Sequence, residues 1–173
     1  MKKCLFLLQR ESVQLILEII SALQYLYARS PSVLVRNLSP SVLVRKQDGG
    51  ILLTHECDFA CMGTQYTEKT ALDIRNMDFL APEQFVGMTD IRSNIYNIGA
   101  ILSYMLNGKT PKENPGERQR FTPVKMWICG REIQQRNRLS RIIQKCTQPD
   151  PDQRYQTLEE LENKLKKAIS SCG

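Results

Sequence analysis

A mainly α-helical domain with a small β-hairpin follows from three features of this 173-residue chain. Four stretches carry apolar residues at i, i+3, i+4 spacing, the mark of helices that bury one face. Between the first and second of these lie short β-rich runs separated by the turn pair Asp48-Gly49. Hydrophobic content is 42%, enough at this length for one globular core.

The elements follow in order. Met1-Lys2-Lys3 and the apolar run Cys4 to Leu8 imitate the start of a signal peptide, but Gln9-Arg10-Glu11 ends the run too early. Residues 1–10 are therefore expected to form a short strand or hinge remnant. Ser12 is the expected N-cap of a first helix whose buried stripe is Leu15, Ile16, Ile19, Ile20, Leu23 and Leu26. The hairpin is expected to pair Val42 to Arg45 with Ile51 to Thr54. A second helix is predicted over Ile91 to Asn107, stopped by Gly108. Its Ile95, Ile98, Ile101, Leu102 and Met105 should form the centre of the domain. Residues from Lys109 to Gly130 read as loop, punctuated by Pro111, Pro115, Gly116 and Pro123. Helices over Ile133 to Cys146 and Thr157 to Ile169 follow, the last with Leu158, Leu161, Leu165 and Ile169 on one stripe. The domain thus spans residues 11–169, with 170–173 as a tail.

A heptapeptide, S-P-S-V-L-V-R, occurs at Ser30 to Arg36 and again at Ser39 to Arg45. Two copies are too few for a repeat architecture. Both contain the β-rich V-L-V.

Several motifs stand in a fixed order. Val35 to Val44 reads V-R-N-L-S-P-S-V-L-V; Ala81-Pro82-Glu83 continues as Gln84-Phe85; Ser93-Asn94-Ile95-Tyr96-Asn97-Ile98-Gly99 opens the second helix; Lys145 to Tyr155 reads K-C-T-Q-P-D-P-D-Q-R-Y. In order and spacing the chain resembles the large, C-terminal lobe of a bacterial-type Ser/Thr protein kinase. The first motif matches the catalytic loop H-R-D-L-x-x-x-N, the second the A-P-E that closes the activation segment. The third matches the S-D-x-Y-S-x-G of the central helix.

The resemblance implies a lost active site. In the family the loop Asp accepts the substrate hydroxyl proton and the loop Asn holds magnesium. Asn37 stands for that Asp, Ser39 for the Lys that neutralises the transferring phosphate, and Val42 for the Asn. A carboxamide takes up no proton near neutral pH, which forfeits the ~10²–10⁴-fold that a general base contributes. Val42 offers a hard cation no oxygen. The magnesium-binding D-F-G usually begins eighteen positions beyond the loop Asp, and that count lands on His55, so His55-Glu56-Cys57 is favoured at this position. The alternative is Asp58-Phe59-Ala60, with Asp58 as the one candidate metal ligand. His55, the chain's single histidine, also forms H-x-C-x₃-C with Cys57 and Cys61, a zinc-like pattern that lacks a fourth ligand.

The scaffold residues are kept. In the family the Glu of A-P-E forms a buried ion pair with the Arg that Arg154 matches, and Glu83 and Arg154 are both present. The glycine-rich loop, the phosphate-pairing Lys strand and the rest of the small lobe have no counterpart here. The expected function is a truncated pseudokinase: no enzyme, no cofactor, no metal, and protein binding or self-association through the face a small lobe normally covers, near Leu5 to Leu8 and Val33 to Val44. The rival functions are an atypical phosphotransferase using Asp58, Glu56 or His55, and binding of nucleic acid or an acidic partner by the basic stretch Lys109 to Lys145. That stretch holds ten Lys or Arg against three Glu in a chain of net charge +6; without an RNA-binding aromatic motif it reads first as solvated helix faces. No apolar run reaches the ~18 residues that span a membrane. Six cysteines without a secretory signal or disulfide framework fit reduced thiols in the cytoplasm.

Overall fold

The computed structural model describes residues 2–29, 32–47, 50–54, 58–61, 74–108, 110 and 130–170. The described chain is mainly helical. Helix α1 covers Lys2–Tyr27, α2 Ile91–Asn107, α3 Gly130–Cys146 and α4 Leu158–Ser170. Four short strands lie between α1 and α2: β1 (Val33–Val35), β2 (Leu43–Arg45), β3 (Ile51–Leu53) and β4 (Phe59–Cys61).

Helix α1 corrects the expected start of the domain. Residues 2–10 are helical rather than a strand or hinge, and Ser12 is buried inside the helix instead of capping it. No Gly or Pro interrupts Lys2 to Tyr27, and the Lys, Leu, Gln, Arg and Glu of its beginning are all good helix formers. A serine caps a helix only where the preceding backbone leaves helical geometry, and nothing here forces that. The buried stripe is Val13, Ile16, Ile19, Ile20 and Leu23, each at most 1% exposed.

Helix α2 is the centre. The Asp90 carboxylate caps it by accepting from the N–H groups of Arg92 (2.7 Å) and Ser93 (3.2 Å), and Gly108 ends it at φ 69°. Every residue from Ser93 to Ser103 is buried, because α1 and α3 both pack against this helix. Helix α4 closes the bundle against α1 and α3 through Leu158, Leu161, Leu165 and Ala168. Its first turn is held by the Thr157 hydroxyl, which accepts from Glu160 N–H at 3.1 Å.

The strands form two antiparallel pairs rather than one hairpin. β2 and β3 pair with Leu43 opposite Leu53, and Lys46 N–H donates to Gly50 O at 2.8 Å. β1 pairs with β4, Val35 opposite Phe59, so the hairpin is enclosed between the two partners of the second sheet. The apolar face expected over Val33 to Val44 lies mostly inside: Leu34, Val35, Leu38 and Val42 are core residues. What reaches solvent is Val44, its cross-strand partner Leu52, and Phe59. The side chains of Leu5 to Leu8 and most of the expected loop 109–130 lie outside the described residues.

Helices α2 and α3 meet at Gly99, where an added Cβ would stand 2.5 Å from the Cys146 Cβ. A Cβ cannot rotate away, so the overpacking cost of ~1–3 kcal/mol outweighs the ~1 kcal/mol that alanine gains in helix propensity. Gly99→Ala should therefore lower the urea midpoint although the same change stabilises an exposed helix; an unchanged or higher midpoint contradicts the close approach.

Candidate functional site

The loop from Arg36 to Val42 is built by its two flanking strands. β1 delivers Arg36, whose N–H donates to Asp58 O at 2.9 Å just before β4 begins. The Asn37 side-chain oxygen accepts from Asp58 N–H at 2.7 Å. Leu38 and Ser39 are fully buried. Pro40, with its fixed φ, opens a single 3₁₀ turn to Val42, which is 1% exposed. The Ser39 and Ser41 hydroxyls lie 2.9 Å apart. Thr54 N–H then donates to Val42 O at 2.9 Å, which ties the loop to the end of β3.

Asn37, Val42 and Asp58, described members of the expected reacting set, are thus occupied by structure. Asn37 holds the backbone of the returning strand. Val42 is a core residue. The Asp58 carboxylate faces Arg36, with Oδ2 3.5 Å from Nε, so a cation at Asp58 would compete with a guanidinium already there. Asp58 stands at the head of β4, and β3 ends at Leu53. His55, Glu56 and Cys57 lie outside the described residues, as does the side chain of Cys61, and with them the D-F-G register and the zinc-like pattern. Among the described residues no group of three or more His, Cys, Asp or Glu side chains could hold a metal ion.

Beneath the loop runs a chain of buried amides. Asn94 Nδ2 donates to Val35 O (2.5 Å) and to Asn97 Oδ1 (3.1 Å). Asn97 Nδ2 donates to Phe79 O (2.7 Å) and to Gln84 Oε1 (2.8 Å), and Gln84 Nε2 donates to Arg36 O (2.8 Å). The Gln84 oxygen also accepts from Ala81 N–H at 2.8 Å. Tyr27 donates its hydroxyl to Asn94 Oδ1; burial, aided by the Asp90 charge, pushes its pKa above the ordinary value and keeps it a neutral donor. Four elements therefore share one polar network: helix α1, the loop with the strand that leads into it, helix α2 and the segment from Phe79 to Gln84. The sequence reading did not single out these amides as a network. The signal available was two asparagines three residues apart in a helix otherwise apolar at its centre.

Glu83 and Arg154 meet as a bidentate pair. Arg154 Nη1 donates to Glu83 Oε1 at 2.6 Å and Nη2 to Oε2 at 2.9 Å. The same guanidinium donates to Gln148 O (2.8 Å), Pro149 O (2.9 Å) and Arg92 O (3.0 Å), with no solvent exposure of the side chain. Ser93 Oγ donates to Glu83 Oε1 at 2.7 Å. Burial works to raise the Glu83 pKa, but the hydrogen bonds from Arg154 and Ser93 and the guanidinium charge outweigh it and hold the carboxyl below its ordinary value.

Arg154→Leu strands the Glu83 carboxylate and three carbonyls, a loss of about 3–5 kcal/mol. Against a total stability of roughly 5–15 kcal/mol the variant should unfold at far lower denaturant or fail to fold; an unchanged midpoint refutes the role of the pair. Because the folded pKa of Glu83 is depressed, its contribution is complete above the unfolded value of about 4.3 and is lost as pH falls through the folded value. Denaturation midpoints should thus fall on acidification below about pH 4, and by less in Glu83→Gln. No protein-family model matches the chain, and a search of curated proteins returns no match.

Proposed function

We propose that this chain is a kinase-like large lobe without catalysis, of the bacterial Ser/Thr type, and that it works by binding a protein. The observation that carries the reading is Asn37. At the position of the catalytic base stands a carboxamide whose oxygen accepts a backbone N–H, an interaction that shapes the loop and moves no proton. Val42 in the core and Asp58 against Arg36 point the same way. The retained parts are those that hold shape: the strand pairs around the loop, the capped central helix, and Glu83 with Arg154. Motif order from Arg36 to Arg154 supplies the kinase comparison.

Protein binding is supported by the surface beside the loop. Val44 and Leu52 sit opposite each other on the hairpin and are 46% and 50% exposed, with Phe59 at 43%. Val44 and Leu52 thus share one small sheet, Phe59 belongs to the other, and exposed apolar side chains in such a group are a common mark of an interaction site. No helix among the described residues is long and apolar enough to cross a membrane.

Two measurements test the reading. Titration with magnesium-ATP should leave the melting temperature unchanged, whereas a ligand at 100 times its dissociation constant would add about 2.7 kcal/mol; a saturable rise would favour residual phosphotransferase chemistry. Light scattering and pull-down should detect association by the natural chain that Val44→Lys with Leu52→Lys abolishes at unchanged melting temperature. A monodisperse, non-interacting natural chain would overturn the binding role.

A further inference from the structure

Helices α3 and α4 enclose a cleft of about 610 Å³ on the side of the bundle where they pack against each other. Among the described residues nine line it, of which five are cationic and none is acidic. Arg138, Arg141 and Lys145 come from α3 at i, i+3 and i+7, which puts them along one face. Lys164 and Lys167 come from α4, at i and i+3. All five are exposed. Arg138, Arg141 and Lys164 have no acidic partner among the described residues, while Lys145 reaches Glu160 at 3.3 Å and lies 4.3 Å over the Tyr155 ring. Like charges brought together from two helices oppose the packing that joins them, so the arrangement needs a compensating ligand more than a scattered basic surface does.

The shape narrows the ligand. A second cleft of about 300 Å³ shares Arg141 and Lys145 and continues the groove past Gln144 and Gln148. From Arg138 to Cys146, where α3 ends, the rise is about 12 Å, the span of roughly four extended residues. Ile142 and Ala168 add an apolar floor between the cations. Among the described lining residues the single aromatic, Tyr155, is 4% exposed and lies beneath Lys145, so its ring is not available for base stacking. Cations flanking an apolar floor suit a peptide that carries carboxylates and small apolar side chains.

We propose that the α3–α4 cleft binds an extended acidic segment of a partner protein. The site is separate from the hairpin surface and does not depend on the kinase-like reading.

The test is fluorescence anisotropy with a labelled oligoglutamate of about ten residues, against an oligothymidylate of equal charge. The natural chain should bind the oligoglutamate saturably, with affinity falling as salt rises. Arg138→Glu with Arg141→Glu should weaken it at least tenfold, and Lys164→Glu with Lys167→Glu, from the other helix, should do the same. Arg45→Glu with Lys46→Glu, an equal charge change on β2 and the turn after it, should change it less than threefold. Circular dichroism melts confirm that each variant is folded, as expected for exposed positions. Equal losses in all three double variants would reduce the effect to net charge and overturn the site, as would no binding of the peptide. Tighter binding of the oligothymidylate would overturn the peptide assignment in favour of nucleic acid.

Discussion

A guanidinium shut away from water must find an acceptor for each of its five N–H groups, and at Arg154 all five are found. Two go to the Glu83 carboxylate and three to the backbone carbonyls of Arg92, Gln148 and Pro149. These acceptors belong to the segment after Ala81, the first turn of α2 and the turn that follows α3. One side chain therefore sets the relative positions of three parts that are far apart in the chain. The Tyr96 ring, 4.9 Å from the guanidinium, completes the enclosure. The cost of burying the charge is met by geometry, and that geometry exists only when the three segments are in place.

The amide chain extends the same logic toward the loop. Ser93 touches Glu83, and Asn94, its neighbour on α2, reaches Val35 O, while Gln84, next to Glu83, reaches Arg36 O. Carboxamides suit this role because each offers both donors and an acceptor, and can bridge carbonyls that a carboxylate could only repel. A loop held from below by amides and from the side by strand pairing keeps its form without any titrating group at its centre. The shape of the loop rests on amides, strand pairing and apolar burial, with Asn37 and Val42 among the residues that secure it.

Much of the helical architecture could be read from the chain because helices announce themselves locally. The apolar spacing and Gly108 mark α2, which occupies Ile91–Asn107 as expected, and the structure adds Asp90 as its cap. The start of α1 could not be read so well: Ser12 fits a cap in isolation, and only the absence of a break before it makes the helix continue to Lys2. Pairing of β1 with β4 was equally hidden, since the two strands are three residues each and their contact is set by chain return, not by a turn signal. At the loop, the carboxamide character of Asn37 and the aliphatic character of Val42 were legible from side-chain type. That Asn37 binds the Asp58 backbone, and that Asp58 faces Arg36, depended on the strand register.

The repeated heptapeptide separates the two kinds of information. Its composition determines that both copies have an extended stretch, because V-L-V favours the pleated backbone and Ser-Pro favours a turn before it. The sequence likewise determines that position 37 carries a carboxamide and position 42 an aliphatic group. Tertiary structure decides the rest. In the first copy Val33 is in strand β1 and Leu34 and Val35 are buried; in the second, Val42 joins a 3₁₀ turn and is buried while Val44 and Arg45 face solvent. Identical residues take different environments because the first copy returns against β4 and rests on α1, whereas the second pairs only with β3. The same holds for charge: ten cations between Lys109 and Lys145 read as a diffuse basic stretch, and only the packing of α4 on α3 brings Lys164 and Lys167 beside Arg138 and Arg141 to make a cleft.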